Sequence, residues 1–441
     1  MANPELNVVE TVTKHTYGTW RPQKGWKPIH VVKAEGSCFF DAAGKRYLDV
    51  SAQLMCSNLG HQNPAVVDAI CKQAKELAFV APGFATTIRA QLAHKLLEVV
   101  PKGIEKFFFA TSGTEANECA IKMARLATGK HKILARYNGY HGSTATSAAL
   151  TGDFRRWFAE PVQSVIDGVI HVPECNPYRP GAFKTASDTV EYVEYVLKNE
   201  GNVAAMIVEP VVGTNGVLVP PDDYLPRLHA VLKKYGVLLI ADEVMAGWGR
   251  TGQWFAVDNW GVQPDLLVTA KGVTSAMAPL GVVGTTRAVA DYFEDHWFPH
   301  GHTYESHPLV LGPAVAAIDE YKRLGLIERA RTMGAKFGEK LRALTKHKSV
   351  GDVRGIGMFW CVEIVRDRKT KEPFGTFHDK FNRKPMVVDA VNAKLLEQGV
   401  YCVGWVSHFV IAPPLIFTEA EMDETVAAFD KALETADAQA A

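Results

Sequence analysis

The sequence lacks several features that would point to a metal, a nucleic acid or a membrane. Lys plus Arg and Asp plus Glu balance at 48 each, so no charge excess favours nucleic acid or a membrane surface. No apolar run reaches transmembrane length, and the first fifteen residues lack the apolar core of a signal peptide. The seven Cys residues form no CxxC pair, and neither HExxH nor a ligand-spaced His cluster occurs. We therefore predict a cytoplasmic protein with reduced thiols and no metal.

What the chain does contain is a regular alternation of apolar runs and helical periodicity. At 441 residues and 47% hydrophobic composition it can bury a large core. Strand-like and helix-like segments alternate in the order strand 106–110, helix 115–126, strand 132–135, strand 203–208, helix 224–235. Such a rhythm is typical of a doubly wound parallel sheet. A meander over 28–50 is predicted before it, and a smaller α+β domain after Gly351 with a solvated loop over 366–384.

One stretch, Val237 to Gly272, carries two charged residues to the predicted sheet edge. The apolar run VLLIA ends on Asp242, and the run LLV leads through Thr-Ala into Lys271. Residues that directly follow buried parallel strands lie at the carboxyl edge of the sheet, where open α/β folds bind ligands. A Lys paired with a carboxylate matches the needs of pyridoxal phosphate chemistry. Alone, each residue is more often a cap or a solvated charge.

Two other motifs fall at the same edge. Ser112-Gly113-Thr114 follows the strand FFFA and opens a helix, where free N–H groups suit a phosphate. An ordinary helix cap is the more common role of such a motif. Tyr140 lies in NGYHG after the next strand, and its ring could stack on a flat cofactor.

A rival interpretation is a dinucleotide-binding fold. Residues 247–252 read GWGRTG, a literal GxGxxG that follows a strand. The match does not open a helix, and no acid stands near twenty residues on at a following strand end. We therefore discount this interpretation, which would predict nicotinamide binding.

Six ordered motifs together resemble the class III (omega) aminotransferases, which are fold-type I pyridoxal phosphate enzymes. They are SGTEAN, NGYHG, VEPVVGTNGV, LLIADEVMAGWGRTG, PDLLVTAKG and HTYESHP, and the resemblance covers nearly the whole chain. It implies a large domain over 56–325 with a mostly parallel seven-stranded sheet. It also implies a smaller α+β domain over 326–441, to which the N-terminal segment 1–55 belongs.

The resemblance also implies roles for individual residues. Lys271 would be the Schiff-base lysine and proton carrier, and Asp242 the partner of the pyridine nitrogen. The other implied cofactor contacts are Val244 and Tyr140 on the ring faces, Ser112, Gly113 and Thr114 at the phosphate, Glu209 and His141 beside the ring, and Thr303 at the phosphate of the neighbouring subunit. A shared phosphate site implies a homodimer or a tetramer of dimers.

The substrate is less determined by the sequence. Many omega-aminotransferases carry a carboxylate-binding arginine at the position matching Val403, so another arginine would be needed here. Candidate substrate residues are Met55, Phe84, Arg89, Arg155, Arg156 and Trp405. SAQLMCSNLGH and LTGDFRRW resemble the taurine, β-alanine and amine aminotransferase subgroup, which implies an amine donor and a keto acid acceptor such as pyruvate. The alternatives are a 4-aminobutyrate or ornithine-type enzyme using 2-oxoglutarate, or another fold-type I enzyme such as an aminomutase, epimerase or decarboxylase.

Overall fold

The computed structural model describes residues 6–163 and 167–441. Its helices, in chain order, are α1 Val8–His15, α2 Ala52–Met55, α3 Pro64–Glu76, α4 Thr87–Leu97, α5 Gly113–Thr128, α6 Ala145–Leu150, α7 Arg155–Gln163, α8 Ala186–Glu200, α9 Tyr224–Lys234, α10 Arg287–Asp295, α11 Pro308–Arg323, α12 Leu326–Arg342, α13 Phe377–Phe381, α14 Val387–Glu397 and α15 Glu419–Asp437. No helix within these described ranges has the length and apolar character to cross a membrane.

The strands form three sheets. Their bounds are β1 Val31–Glu35, β2 Cys38–Asp41, β3 Arg46–Asp49, β4 Ile104–Ala110, β5 Lys132–Arg136, β6 Val169–Val172, β7 Val203–Val208, β8 Leu238–Asp242, β9 Leu266–Thr269, β10 Gly281–Thr286, β11 Val350–Ile356, β12 Phe359–Asp367, β13 Glu372–Pro373, β14 Val400–Tyr401, β15 Val403–Trp405 and β16 His408–Ile411.

The central sheet has seven strands in the order β4-β10-β9-β8-β7-β5-β6. All of its pairs are parallel except the two made by β10, which runs antiparallel to both β4 and β9. Because one strand is reversed between them, β4 still points the same way as β9. The predicted mostly parallel seven-stranded sheet is confirmed, and β4, β5, β7, β8 and β9 all end at one rim.

The strands of this sheet form because their residues can be buried on both faces. Every residue of β7 is buried, and so is every residue of β9. Uninterrupted apolar runs suit a sheet that helices cover on both sides. Helix α5 packs its buried face, from Ala116 to Ala124, beneath the sheet. The rim residues at the strand ends are therefore held on a rigid layer.

The N-terminal strands belong to a sheet completed by the C-terminal part of the chain. A four-stranded sheet has the order β1-β2-β3-β14, with Leu48 opposite Val400 in parallel register. A five-stranded sheet contains β11, β12, β16 and β15 in that order, with β13 paired to β12. The pairing of β3 with β14 agrees with a small domain built from both chain ends, and the boundaries near residues 55 and 325 stay a prediction.

Two parts of the fold differ from expectation. The segment 366–384 was expected to be a solvated loop, but it holds β13 and α13. Phe377 and Phe381 of α13 pack against Phe154 and Trp157, so apolar contacts order the segment. Strand β10 had no sequence signal, because its residues GVVGTT include two glycines, which weaken strand propensity.

Candidate functional site

A cavity of about 620 Å³ opens at the rim of the central sheet. Its volume is in the range of small-molecule sites. The lining residues come from the ends of five strands and from two other segments: Leu54, Cys56, Thr111, Ser112, Gly113, Thr114, Asn117, Tyr140, His141, Gly142, Ser143, Glu209, Asp242, Val244, Met245, Ala270, Lys271, Ala276, Ala278, Pro279 and Leu280. The sheet thus brings together all of the residues that the sequence assigned to the cofactor except Thr303.

Lys271 follows β9 and projects into the cavity wall. Its backbone is in the left-handed region, with φ of 48°, a conformation that costs free energy for a residue with a side chain. Burial is the main cause that lowers the pKa of its amine below the usual range. A larger fraction of the amine is therefore neutral and nucleophilic than in solvent.

Asp242 ends β8, and its carboxylate accepts hydrogen bonds from three neighbours. Asn117 Nδ2 donates to Asp242 Oδ2 at 2.9 Å, and His141 Nδ1 donates to the same oxygen at 2.7 Å. The Val244 backbone N donates to Oδ1 at 3.1 Å. Because the carboxylate is buried and accepts three hydrogen bonds, its position is fixed and its charge is stabilised.

Glu209 follows β7 and holds the loop that carries Tyr140. The Tyr140 backbone N donates to Glu209 Oε1, and the Gly213 backbone N donates to Oε2, both at 2.9 Å. Burial raises the pKa of Glu209 and also that of the Tyr140 hydroxyl. The Tyr140 ring is thereby set at the cavity by backbone contacts.

The start of α5 forms the other end of the cavity. Ser112 is the N-cap, and its hydroxyl accepts from the Glu115 backbone N at 3.3 Å. The Glu115 carboxylate accepts from the Thr111 backbone N at 2.9 Å and not from that of Ser112, so the N-cap contact is not reciprocated. The first N–H groups of a helix have no intrahelical partner and can bind an anion.

Glycines let other segments approach this helix start. A Cβ on Gly113 would lie 3.0 Å from Val244 Cγ2. Gly142 has φ of +140°, and a Cβ there would lie 1.9 Å from Thr114 Oγ1. The loop after β5, the end of β8 and the start of α5 can meet only because these two positions have no side chain.

Seven predicted site residues are not part of this wall: Met55, Phe84, Thr303, Arg89, Arg155, Arg156 and Trp405. Met55 is buried among core residues, while its neighbours Leu54 and Cys56 line the cavity. Phe84 is 63% exposed. Thr303 is exposed in the loop before α11. Met55 is packed in the core, and the roles predicted for Phe84 at the substrate and Thr303 at the phosphate stay predictions.

The three candidate arginines have different surroundings. Arg89 Nη1 donates to the Pro82 carbonyl at 3.0 Å, and Arg156 Nη1 donates to His171 Nδ1 at 3.0 Å. Arg155 is buried, forms an ion pair with Asp153, and has its guanidinium carbon 3.7 Å from the Tyr140 ring centroid. Of the three, Arg155 has a cation–π contact with a residue of the cavity wall, Tyr140.

Trp405 also belongs to the surroundings of Arg155. The guanidinium carbon of Arg155 lies 4.8 Å from the Trp405 ring centroid. Trp405 Nε1 donates to Asn215 Oδ1 at 3.0 Å. Trp405 and Val403 both belong to β15, two residues apart, so their side chains share one face of the strand.

The GWGRTG segment is structural. Arg250 is fully buried and donates from Nη1 to the carbonyls of Met358, at 3.1 Å, and Pro413. It also donates from Nη2 to Asn58 Oδ1. The segment therefore ties the central sheet to the C-terminal strands, which agrees with its exclusion as a dinucleotide motif.

Sequence reasoning missed several wall residues, of which Asn117 is the most informative. It lies inside α5, where Asn is a poor helix former, and it donates to Asp242. Its Oδ1 is buried with no partner among the described residues. A buried polar residue five positions after Ser112, within the SGTEAN motif, was the available signal.

Comparison with known proteins gives consistent matches over most of the chain. A family model of class III aminotransferases matches residues 21–433. The chain is 33% identical over 420 residues to putrescine–pyruvate aminotransferase of Pseudomonas aeruginosa, covering 92% of this chain and 90% of that protein. It is 34% identical to taurine–pyruvate aminotransferase of Bilophila wadsworthia, and the match covers 99% of this chain and 98% of that protein. The solved taurine:2-oxoglutarate aminotransferase from Bifidobacterium kashiwanohense, in complex with PLP and glutamate, matches with a TM-score of 0.94 and 37% identity, covering 98% of each chain.

Proposed function

Because this chain belongs to the class III aminotransferases, which use pyridoxal 5′-phosphate, we propose that it moves an amino group from an amine or omega-amino acid to a keto acid at the rim cavity. The observation that carries the proposal is the meeting of Lys271, Asp242 and the Ser112–Thr114 helix start in one cavity. A binding module would not need these three groups together.

The residues present fit the cofactor. Ser112, Gly113 and Thr114 would hold its phosphate at the start of α5, and Lys271 would hold its aldehyde carbon at the end of β9. Asp242 would pair with the ring nitrogen, and Val244 and Tyr140 would cover the two ring faces. When bound, the cofactor supplies an electron sink that stabilises negative charge on the substrate carbon.

In this arrangement the protein side chains supply proton transfer and electrostatics. Lys271 Nζ accepts the proton that leaves the substrate carbon and returns it, as a positioned acid and base. Asp242, oriented by His141 and Asn117, would hold a proton on the ring nitrogen when the cofactor is bound. Glu209 and Gly142 have a positioning role, because they fix the loop that carries Tyr140 and His141.

The substrate class is supported by the named relatives, whose donors are putrescine and taurine and whose acceptors are pyruvate and 2-oxoglutarate. We propose a donor of the β-alanine, taurine or amine type and pyruvate as acceptor. A homodimer, or a tetramer of dimers, follows from the same proposal, with exposed Thr303 reaching the phosphate of the neighbouring subunit.

The test is the absorbance spectrum of the purified protein with pyridoxal phosphate, before and after adding β-alanine, taurine, 4-aminobutyrate or 1-phenylethylamine. We expect a visible band that at least one donor converts to a near-ultraviolet band, and that pyruvate restores. A yellow protein that no donor alters would favour a mutase, epimerase or decarboxylase. A protein that takes up no cofactor would overturn the proposal.

A variant at Lys271 tests the same proposal by site-directed mutagenesis. Lys271→Ala should abolish transamination, because the variant loses the amine that would hold the cofactor and carry the proton. Circular dichroism should show an unchanged fold, since the Lys271 amine makes no hydrogen bond or ion pair with the part of the chain that the structure describes. Substantial remaining turnover would refute the role of Lys271.

A further inference from the structure

The segment from Ser51 to Cys56, which includes α2, has a strained backbone. Ala52, Gln53 and Met55 have positive φ, at 43°, 61° and 55°, and none of them is glycine. Gln53 also has ψ of −93°, which lies outside the left-handed helical region. Residues with side chains keep such conformations only where the surrounding structure fixes them, and they cluster at functional sites.

This strained segment forms part of the cavity wall. Leu54 and Cys56 line the cavity together with Lys271. The Leu54 side chain is 61% exposed, so core packing does not hold it there. Just after the segment, the Leu59 backbone N donates to Ser275 Oγ at 2.9 Å, in the turn that follows the cofactor lysine. The shape of this wall therefore depends on what holds the strained backbone.

The carboxylate of Asp49, the last residue of β3, holds it. Asp49 is fully buried. The Gln53 backbone N donates to both of its oxygens, at 3.0 Å and 2.9 Å, and Gln53 Nε2 donates to Oδ2 at 2.9 Å. His61 Nε2 donates to Oδ2 at 2.9 Å, and the Ser51 backbone N donates to Oδ1 at 3.3 Å. Both the backbone and the side chain of the most strained residue are thus bound to one carboxylate.

The contacts of Ser51 fix only the beginning of the segment. Ser51 Oγ donates to the Val410 carbonyl at 2.6 Å and accepts from the Val403 backbone N at 2.9 Å. These bonds attach Ser51 to β15 and β16. The direction in which the chain turns after Ser51 is set by Asp49.

We propose that Asp49 is a positioning residue of the cavity, whose carboxylate holds residues 51–56 in the strained conformation that keeps Leu54 and Cys56 in the wall beside Lys271. This rests on the function proposed above. The cofactor contacts come from other segments, so loss of the Asp49 charge leaves them in place. What changes is the space beside Lys271 in which the donor must fit.

A different role for Asp49 would be to stabilise the four-stranded sheet only. Asp41 provides the matched control, since it also ends a strand of that sheet and holds the backbone after it. Asp41 Oδ1 accepts from the Ala43 and Lys45 backbone N atoms, both at 2.9 Å. Its Oδ2 accepts from the Tyr47 hydroxyl at 3.0 Å. Asp49→Asn and Asp41→Asn make the same chemical change, but only Asp49 is bonded to a segment that lines the cavity.

Alkylation of the holoenzyme by iodoacetamide, followed cysteine by cysteine by mass spectrometry, reports on the segment because Cys56 lies in it. We expect Asp49→Asn to raise the labelling rate of Cys56 by about 10- to 100-fold, the change in a local opening equilibrium that loss of a hydrogen bond to a charged group produces. The labelling rates of exposed Cys71 and buried Cys119 should not change. Asp41→Asn should leave the Cys56 rate as in the wild type.

Steady-state kinetics with a donor that the wild type accepts gives a second readout. In Asp49→Asn the KM for the donor should rise by about tenfold, while kcat and the visible cofactor band stay nearly unchanged. A purely structural role would instead lower the active fraction, and so the apparent kcat, at an unchanged KM. That second pattern would overturn the proposal.

Unchanged labelling of Cys56 in a folded Asp49→Asn protein would also overturn it, as would an equal increase in Asp41→Asn or a matching increase at Cys119. Should Asp49→Asn fold poorly, Gln53→Ala removes a single hydrogen bond to the carboxylate from a half-buried residue. It should raise Cys56 labelling by about 2- to 10-fold, and no increase would count against the proposal. Failure of the proposed function would look different: the wild-type spectrum would respond to no donor, while the labelling difference would remain.

Discussion

Two adjacent carboxyl groups at the end of β8 have different environments. Asp242 faces the cavity and accepts hydrogen bonds from His141 and Asn117. Glu243 points the other way into the core, where its Oε1 accepts from the Val257 backbone N at 2.8 Å. Burial raises the pKa of Glu243 to about 8. Strand alternation therefore places one carboxyl group at the cavity and its neighbour in the core.

Asp242→Asn tests the functional group. The amide has nearly the same shape, so the cofactor should stay bound and the protein yellow. It cannot hold a proton on the ring nitrogen electrostatically, so turnover should fall by about 100-fold or more. Rapid-mixing absorbance measures the half-reaction. Near-normal rates would mean that another group contacts that nitrogen.

Glu243→Gln tests the structural role of the second carboxyl group through the pH dependence of stability. The folded-state pKa, about 8, lies above the usual value of 4.5, so the folded state binds more protons between these values. The stabilisation by the protonated Glu243 is then fully present below about pH 4.5 and is lost as the pH rises through about 8. Gln cannot ionise. The decline of the melting temperature from pH 6 to pH 9 should be smaller in Glu243→Gln than in the wild type, and identical declines would contradict this.

At the scale of elements, the site depends on close approach between a loop and a helix start. The loop after β5 meets α5 at Gly142 and Thr114, where Thr114 Oγ1 accepts from the Ser143 backbone N at 3.0 Å. No side chain fits between them. The geometry of the cavity at the start of α5, where the phosphate would bind, therefore depends on glycine at position 142.

Gly142→Ala should weaken cofactor binding by about tenfold or more, because the methyl group displaces Thr114 and the φ of +140° is strained for alanine. Fluorescence titration with pyridoxal phosphate measures the change. Gly129→Ala is the control, since Gly129 also has positive φ, at +64°, but open space around it. Equal weakening in both variants would show that strain, and not the contact with Thr114, is responsible.

The sequence predicts elements and rim residues well where the signal is local. The run VAAMIV predicts β7 with its observed bounds, and Asp242 and Lys271 follow apolar runs that locate them at the sheet edge. Contacts between distant residues carry no such signal. Asn117 meets Asp242 across 125 positions, and Arg155 meets Trp405 across a larger interval. Gly284 of β10 is required by contact with Ile104 and Phe107, which no local pattern shows.

For the whole molecule, Arg250 links parts of the chain that are far apart in sequence. It has no carboxylate partner among the described residues, and it donates to Asn58, Met358 and Pro413. Burial lowers its pKa to about 10. A guanidinium with three buried oxygen partners holds the central sheet, the segment after β3 and the C-terminal strands together.

Arg250→Met should lower the free energy of unfolding by about 2–4 kcal/mol, because buried carbonyl oxygens lose their donors. Denaturant titration at fixed cofactor concentration measures the loss. Arg331→Met, at an exposed ion pair with Glu328, should change it by less than about 1 kcal/mol. A stable Arg250→Met protein would show that the desolvation cost of the charge had offset its hydrogen bonds.

The reversed strand β10 sets the separation of two functional parts of the cavity. It separates β9, which leads to Lys271, from β4, which leads to Ser112. Strands in a sheet are spaced about 4.8 Å apart, so these two ends lie about 10 Å from each other, with Asp242 one strand spacing beyond Lys271. Lys271 and the start of α5 therefore line the same cavity from opposite sides of one strand.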